Sequence, residues 1–276
     1  MPEGDTISRT AATLHRVFAS KVLTRFESAL PALTRVDHDR PLAGRTIESV
    51  AARGKHLLIY FSGDLILHTH MRMSGSWHIY RPGERWRRAA RDMRIIVGTP
   101  EAEAIGFNIP IAEFLTGREL ARHRQLQALG PDLLDPAFDR DEARSRVRGH
   151  AGEAIADVLL NQRVVAGIGN VFKSEVLFVA GLDPFTRVAD VSDEALDRTI
   201  EVAIRLLRVN VADRTRTLAP VPGRRTTGSL HPGSGLWVYG RGGLPCRKCG
   251  SRILSRKTGT DARLTYWCPA CQLTSP

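Results

Sequence analysis

The sequence predicts an α+β protein of several domains: an N-terminal helix leading into a β-sandwich or barrel, a helical region, and a small C-terminal ribbon. Three observations carry that reading. Many short extended segments separated by Gly, Pro and Ser follow the first helical stretch, a pattern of stacked or closed sheets rather than alternating βα units. The hydrophobic period then changes to helical after Gly130-Pro131-Asp132. All four cysteines fall within the last 31 residues.

The 276 residues suffice for two domains and a small appendage. With 42% hydrophobic and 25% charged residues, a substantial core can be buried. The charge balance is unusual: 40 Lys plus Arg against 29 Asp plus Glu leave a formal +11. A surface that basic attracts polyanions, of which nucleic acid is the commonest. The start, Met-Pro-Glu-Gly-Asp-Thr, carries no basic stretch followed by an apolar one, so a soluble, intracellular monomer is expected. No apolar run approaches the roughly 18 residues of a membrane helix.

From the N-terminus, Ile7, Ala11, Leu14 and Val17 recur at helical spacing up to Phe18, with Asp5 or Thr6 as the expected N-cap. After Arg53-Gly54-Lys55, residues His56–Phe61 read as extended. Ser62-Gly63-Asp64 turns the chain, and Leu65–His70 returns as the second arm of a hairpin. Trp77–Tyr80, Met93–Gly98 and Ala104–Phe107 read as further strands, and residues 119–133 as a linker. Helices are expected at Asp141–Arg148, Glu153–Leu160, Phe172–Val179 and Ala195–Val209. Residues 213–235, rich in Pro, Gly, Arg and Thr, read as a loop. Between two of the helices, Gly167 and Gly169 permit a tight turn and Asn170 can cap the helix after it. A helix N-terminus offers backbone N–H groups to a phosphate, although a plain helix connection has the same residues.

The cysteines are spaced Cys246-x2-Cys249, then eighteen residues, then Cys268-x2-Cys271. Two such knuckles match a four-cysteine zinc ribbon. With all four tetrahedral positions filled by protein, one zinc ion here is structural and not catalytic. Residues 241–276 hold seven Arg or Lys against one Asp. Four thiolates and one zinc reduce that to about +4. Arg263 sits near an expected hairpin tip, where its guanidinium fork suits a phosphate.

Taken together, the chain resembles the family of formamidopyrimidine-DNA glycosylase and endonuclease VIII. The match is carried by Pro2-Glu3-Gly4, Arg53-Gly54-Lys55-His56-Leu57-Leu58, His70 with Met73-Ser74-Gly75, and Leu129-Gly130-Pro131. It continues in Asn161-Gln162, Gly167-Ile168-Gly169-Asn170, Val238-Tyr239-Gly240-Arg241 and Tyr266-Trp267-Cys268-Pro269-Ala270-Cys271, and so spans nearly the whole chain. The resemblance implies an N-terminal helix on a β-sandwich (1–118), a helix–two-turn–helix domain (134–235) and a zinc-ribbon finger (236–276). It also implies a bifunctional DNA glycosylase and abasic-site lyase acting on double-stranded DNA with oxidised bases.

In that family Met1 is removed and the Pro2 amine becomes the nucleophile. An α-amino group titrates at about 7.7–8.0. The positive end of a helix should lower that value and enrich the reactive neutral form. Glu3 is the implied acid–base partner, and Lys55 contacts a phosphate beside the lesion. Asn170 and Arg263 match positions that grip phosphates around the extruded nucleotide. After His70, the stretch Met71-Arg72-Met73-Ser74 matches the loop that fills the vacated stack, with Met73 as wedge and Arg72 facing the orphaned base. Two departures stand out. The Asp-Pro-Arg-Arg-Phe type of loop is absent from Ala104–Pro110, which favours the endonuclease VIII branch and oxidised pyrimidines over 8-oxoguanine. Thr6 stands where a second acid is common, so base excision is expected to be weaker relative to lyase action. The rival from another class is a damage-binding protein, which would have no need of Pro2, Glu3 and Lys55 together.

Overall fold

The computed structural model describes residues 2–212, 224–227, 235–259 and 261–273, which divide into two units between Ala128 and Leu129. The first unit opens with α1 (Gly4–Phe18), whose buried Ile7, Ala11, Leu14 and Phe18 form one stripe at spacings of four, three and four residues. The N-cap falls two or three residues earlier than its sequence suggests. Glu3, extended, is the N-cap, and its carbonyl accepts the N–H groups of Thr6 and Ile7 at 2.9 and 3.1 Å. Asp5 lies inside the first turn, where its charge complements the helix dipole.

Next come β1 (Lys21–Val22), β2 (Arg25–Ser28), α2 (Pro31–Asp39), β3 (Thr46–Arg53), β4 (His56–Phe61), β5 (Leu65–His70) and β6 (Ser76–Tyr80). After these the chain forms β7 (Met93–Gly98), β8 (Glu103–Phe107), β9 (Ile111–Leu115) and the short helices α3 (Gly117–Leu120) and α4 (Arg124–Gln127). The strands form two sheets, ordered β1-β3-β4-β5-β9 and β2-β7-β8-β6, so the sandwich is realised and the barrel is not. Leu57, Ile59, Phe61, Leu65 and Leu67 of the first sheet share one buried cluster with Ile95, Val97 and Ala104 of the second. Alternation does the rest. Because successive side chains point to opposite faces, His56, His68 and His70 are turned to the face away from that cluster. The stretch expected as a linker is structured: Thr116 and Glu119 close a capping box on α3, and His123 Nδ1 accepts the Leu126 N–H to start α4.

The second unit holds α5 (Arg140–Arg148), α6 (Ile155–Leu160), α7 (Asn170–Ala180) and α8 (Asp193–Ala212) around a core that includes Val158, Leu159, Phe172, Val176, Leu177, Leu196 and Leu207. Asp139 caps α5, and Gly181 at φ 76° ends α7 in the left-handed region. Most of the loop read at 213–235 lies outside the described residues. The unit ends in a hairpin of β10 (Leu254–Thr258) and β11 (Arg263–Trp267), paired antiparallel from Leu254↔Trp267 to Thr258↔Arg263.

One glycine in this unit has a direct steric reason. Gly130 donates to the Gln162 carbonyl at 2.9 Å, and the Ala166 N–H bonds to Pro131 O at 2.9 Å, so two chain segments run in contact. A Cβ on Gly130 would stand 2.3 Å from the Val164 carbonyl oxygen. Gly152, by contrast, faces open space. We expect Gly130→Ala to cost about 2 kcal/mol or more through overpacking, and Gly152→Ala to stay within about 0.5 kcal/mol. Denaturant unfolding of the two variants checks the contrast.

Candidate functional site

The N-terminal segment sets the first part of the site. Pro2 is half-buried and immediately precedes Glu3, which is buried at the N-cap of α1. Asp5 is also buried, and the Thr6 hydroxyl donates to its Oδ1 at 3.2 Å. Thr6, at the place where an acid is common, therefore serves the neighbouring carboxylate.

The antiparallel register brings the next residues to one end of the first sheet. Arg53 pairs with His56 across a two-residue loop, Gly54-Lys55, in which Gly54 takes φ 58°. His56 in turn pairs with His70, so Lys55, just before β4, and Met71, just after β5, leave the sheet at the same end. The chain after His70 is a tight turn closed by the Gly75 N–H to the Met71 carbonyl at 2.8 Å. A Cβ at Gly75 would meet that oxygen at 2.6 Å and the Met71 Cα at 2.8 Å, which is why glycine stands there. Met71 is buried and anchors the turn, Arg72 takes φ 49°, and Met73 is 61% exposed. Met73 is therefore not a core methionine. His70 Nδ1 accepts the Arg72 N–H at 3.0 Å. Burial, first, and the nearby Arg72 and Lys55 charges push His70 down to about 4, so its imidazole is neutral at pH 7.

In the second unit α7 and β11 are laced together. Asn170 Nδ2 donates to the Leu264 carbonyl at 3.0 Å, Lys173 Nζ to Thr265 Oγ1 at 2.7 Å, and the Tyr266 N–H to Ser174 Oγ at 3.4 Å. Positions i, i+3 and i+4 of a helix face one way, so one side of α7 tracks three successive strand residues. Asn170 is thus the first residue of α7 and not its cap, a role taken by Gly169. Arg263 directly precedes Leu264, so the same contact brings Asn170 and Arg263 into one place. Arg263 opens β11 with its Nε 3.8 Å from Asp261 Oδ2, and its side chain is 42% exposed. Lys173 and Glu175 escaped the sequence reading. Both are fully buried in a helix otherwise rich in apolar residues, and a charge inside such a run was the available signal. Glu175 accepts the N–H groups of Trp237, Val238 and Tyr239 at 2.8, 2.9 and 2.8 Å and the Thr226 hydroxyl, pinning the chain that enters the ribbon.

The four cysteine sulfurs lie within 4.8 Å of one another, with Cys249–Cys268 at 3.5 Å and Cys246–Cys271 at 3.9 Å. Tetrahedral zinc with Zn–S bonds of about 2.3 Å requires S···S separations of about 3.8 Å. The donor set fits one zinc ion, held by Cys246, Cys249, Cys268 and Cys271.

A two-sheet sandwich opening on Pro2-Glu3, a glycine-turned helical unit and a four-thiolate hairpin in one chain form the architecture expected of a zinc-ribbon DNA glycosylase. Residues 1–108 match the formamidopyrimidine-DNA glycosylase N-terminal domain, 129–219 its H2TH domain, and 243–273 the zinc finger found in FPG and IleRS. A probable endonuclease 8 from Streptomyces coelicolor is 41% identical over 275 residues, covering 99% of this chain and 94% of that protein. A protein named DNA-(apurinic or apyrimidinic site) lyase Nei2, from Mycolicibacterium smegmatis, is 37% identical over the full length of both chains. Endonuclease 8 of Escherichia coli is 32% identical over 99% of this chain and 100% of its own. The fold is also that of Lactococcus lactis Fpg solved with abasic-site DNA, at TM-score 0.81 and 23% identity, over 98% of this chain and 99% of that one. The chain belongs to the formamidopyrimidine-DNA glycosylase and endonuclease 8 family.

Purified protein should carry one zinc ion per chain, measured by elemental mass spectrometry. Stripping it with a chelator should loosen the β10–β11 hairpin and release Leu264 from Asn170, because ligand binding supplies much of the stability of such small ribbons. A metal-free preparation with an intact hairpin, judged by the amide spectrum of β11, would contradict this.

Proposed function

We propose that this protein is a bifunctional DNA glycosylase and abasic-site lyase of base excision repair, acting in the cytoplasm on double-stranded DNA with oxidised pyrimidines. The observation that carries the proposal is the placement of Pro2 directly ahead of a buried Glu3 at the N-terminus of α1, in a chain of this family. The positive end of a helix disfavours an ammonium ion, which favours the nucleophilic, neutral form of a secondary amine.

After removal of Met1, the Pro2 nitrogen attacks C1′ of the damaged nucleoside. The C1′–N bond to the base breaks, and the base leaves with the proton that the Pro2 nitrogen gives up. Glu3 protonates the sugar ring oxygen as the ring opens, and the resulting iminium accepts the electrons released on loss of the C2′ proton. The C3′–O3′ bond then breaks by β-elimination, which nicks the strand. Lys55, at the tip of its two-residue loop, holds a phosphate next to the lesion, and His70 offers a neutral imidazole donor at the same end of the sheet. Met73, exposed on an anchored turn, wedges into the vacated stack, and Arg72 bonds the unpaired base; both offset the few kcal/mol of unstacking. In the second unit, Arg263 and the N-terminus of α7 at Asn170 contact phosphates.

Borohydride trapping on duplexes with an abasic site, thymine glycol, 5-hydroxyuracil or 8-oxoguanine tests this directly. Covalent complexes are expected with the abasic and pyrimidine substrates and none after Pro2→Ala. Trapping that survives Pro2→Ala would remove the nucleophile assignment, and preferential trapping on 8-oxoguanine would reverse the substrate class. Bound DNA with no trapped complex on any duplex would point to a damage-binding protein. Met73→Ala should slow thymine glycol excision about tenfold while leaving nicking of a pre-formed abasic site within about threefold, since only excision must extrude a base. Arg263→Ala should weaken binding to all sequences alike and reduce the slope of log affinity against log salt by about 1, read by titration at several salt concentrations.

A further inference from the structure

The face of the first sheet turned away from the sandwich core carries a connected set of side chains with no part in the chemistry above. His56 Nδ1 lies 2.8 Å from His68 Nε2, and His68 Nδ1 lies 2.9 Å from Glu113 Oε1. His123 Nε2 reaches that same oxygen at 3.0 Å. The register builds this line: His68 faces Glu113 across β5–β9, and His56 faces His70 across β4–β5, their rings meeting edge to face at 4.7 Å. His56 and His68 are buried.

Backbone N–H groups settle where each ring proton sits. The Leu126 N–H donates to His123 Nδ1, so that nitrogen holds a lone pair and the His123 proton is on Nε2, donated to Glu113. The Arg72 N–H donates to His70 Nδ1, so the His70 proton is on Nε2. A carboxylate can only accept, so His68 donates from Nδ1 and presents Nε2 as an acceptor, which His56 must fill by donating from Nδ1. One proton per ring is also what burial dictates. Burial, ahead of the neighbouring imidazoles, pushes His56 down to about 3, and it lowers His68 as well. Burial alone would raise Glu113, but the N–H groups of His68 and His123 hold it below its usual value.

His68, Glu113 and His123 are also close enough to hold a cation. A metal on His123 Nε2 would move its proton to Nδ1 and set it against the Leu126 N–H, donor against donor. The geometry favours the hydrogen-bonded chain.

We propose that Glu113, His68 and His56 are positioning residues. Their one-way hydrogen-bond chain locks the His56 ring against His70, and His70 in turn holds Arg72 in its left-handed conformation and so aims the turn that bears Met73. The inference rests on the assignment of Arg72 and Met73 to the vacated stack. It adds three residues, on β4, β5 and β9, that act through the turn rather than on the reacting atoms.

Imidazole ¹⁵N spectra of the full chain at pH 7 should show Nδ1–H tautomers for His56 and His68 and Nε2–H tautomers for His70 and His123. His68→Leu, or the gentler Glu113→Ala at a half-exposed position, which removes the acceptor shared by His68 and His123, should mix the His56 tautomers and shift or broaden the Arg72 and Met73 amides. Single-turnover excision of thymine glycol should fall about tenfold through misplacement of the turn. Affinity for undamaged duplex should change less than about twofold, a split that general destabilisation would not produce. Unchanged Arg72 and Met73 amides in both variants would overturn the proposal. So would stoichiometric zinc binding that displaces the His68 and His123 protons. If the wild-type protein neither excised nor nicked DNA, the enzymatic reading would fail, while the tautomer map and the Arg72 amide would still decide whether the chain positions the turn.

Discussion

The pairing of His56 with His70 in the β4–β5 hairpin is the constraint on which most of the first unit depends. It fixes which side chains face the second sheet: Leu57, Ile59 and Phe61 against Leu65 and Leu67, all in one buried cluster. It also fixes which face away, and there it lines up the histidines with Glu113. A slip of one residue would exchange the two faces and bury imidazoles among aliphatic side chains. The same pairing sets the ends of the hairpin, from which Lys55 and the Met71–Ser74 turn emerge together. One register therefore serves the core, the buried polar line and the presentation of surface residues.

The second unit is governed by α7 in a comparable way. One part of the helix packs Phe172, Val176 and Leu177 into the helical core. Another face binds β11 through Asn170, Lys173 and Ser174, and Glu175 gathers three backbone N–H groups at the entry to the ribbon. Phe178 stacks on Trp237 at 5.4 Å and joins the small cluster beneath the cysteines. Buried charges are costly unless hydrogen-bonded. Lys173 and Glu175 are tolerated because each meets groups from the ribbon, and the ribbon is thereby held at one place on the helix.

Legibility from sequence tracked the strength of the local signal. The β4–β5 hairpin announced itself by two short, β-prone apolar runs around Ser62-Gly63-Asp64, and the ribbon by its two cysteine pairs. α2 was missed because it buries Leu33 alone and so shows no apolar stripe. β9 was missed because Ile111–Leu115 is half-buried for most of its length and does not alternate. The N-terminus of α1 was misplaced because Asp5 and Thr6 look like caps, whereas Glu3 caps with its backbone alone. Asn170 misled in the same manner: a good capping residue was used instead to bind a strand 94 positions away. Such long-range partners leave no periodic trace, which is also why four histidines scattered from 56 to 123 gave no hint of being one connected set. The roles proposed for Pro2, Glu3, Lys55 and Met73 come only through the family resemblance, since alone Glu3 reads as a first-turn acid, Lys55 as a surface residue and Met73 as a core methionine.

In the proposed mechanism the Pro2 amine acts directly ahead of Glu3, the N-cap of α1, so the nucleophile and its acid–base partner are set by the start of one helix. The most direct test is to reduce the enzyme–DNA complex with borohydride, digest it, and locate the sugar remnant by mass spectrometry. A single adduct on the nitrogen of a peptide that begins at Pro2 is the predicted result. An adduct on the Lys55 or Lys173 side chain, or turnover by protein that retains Met1, would contradict the account.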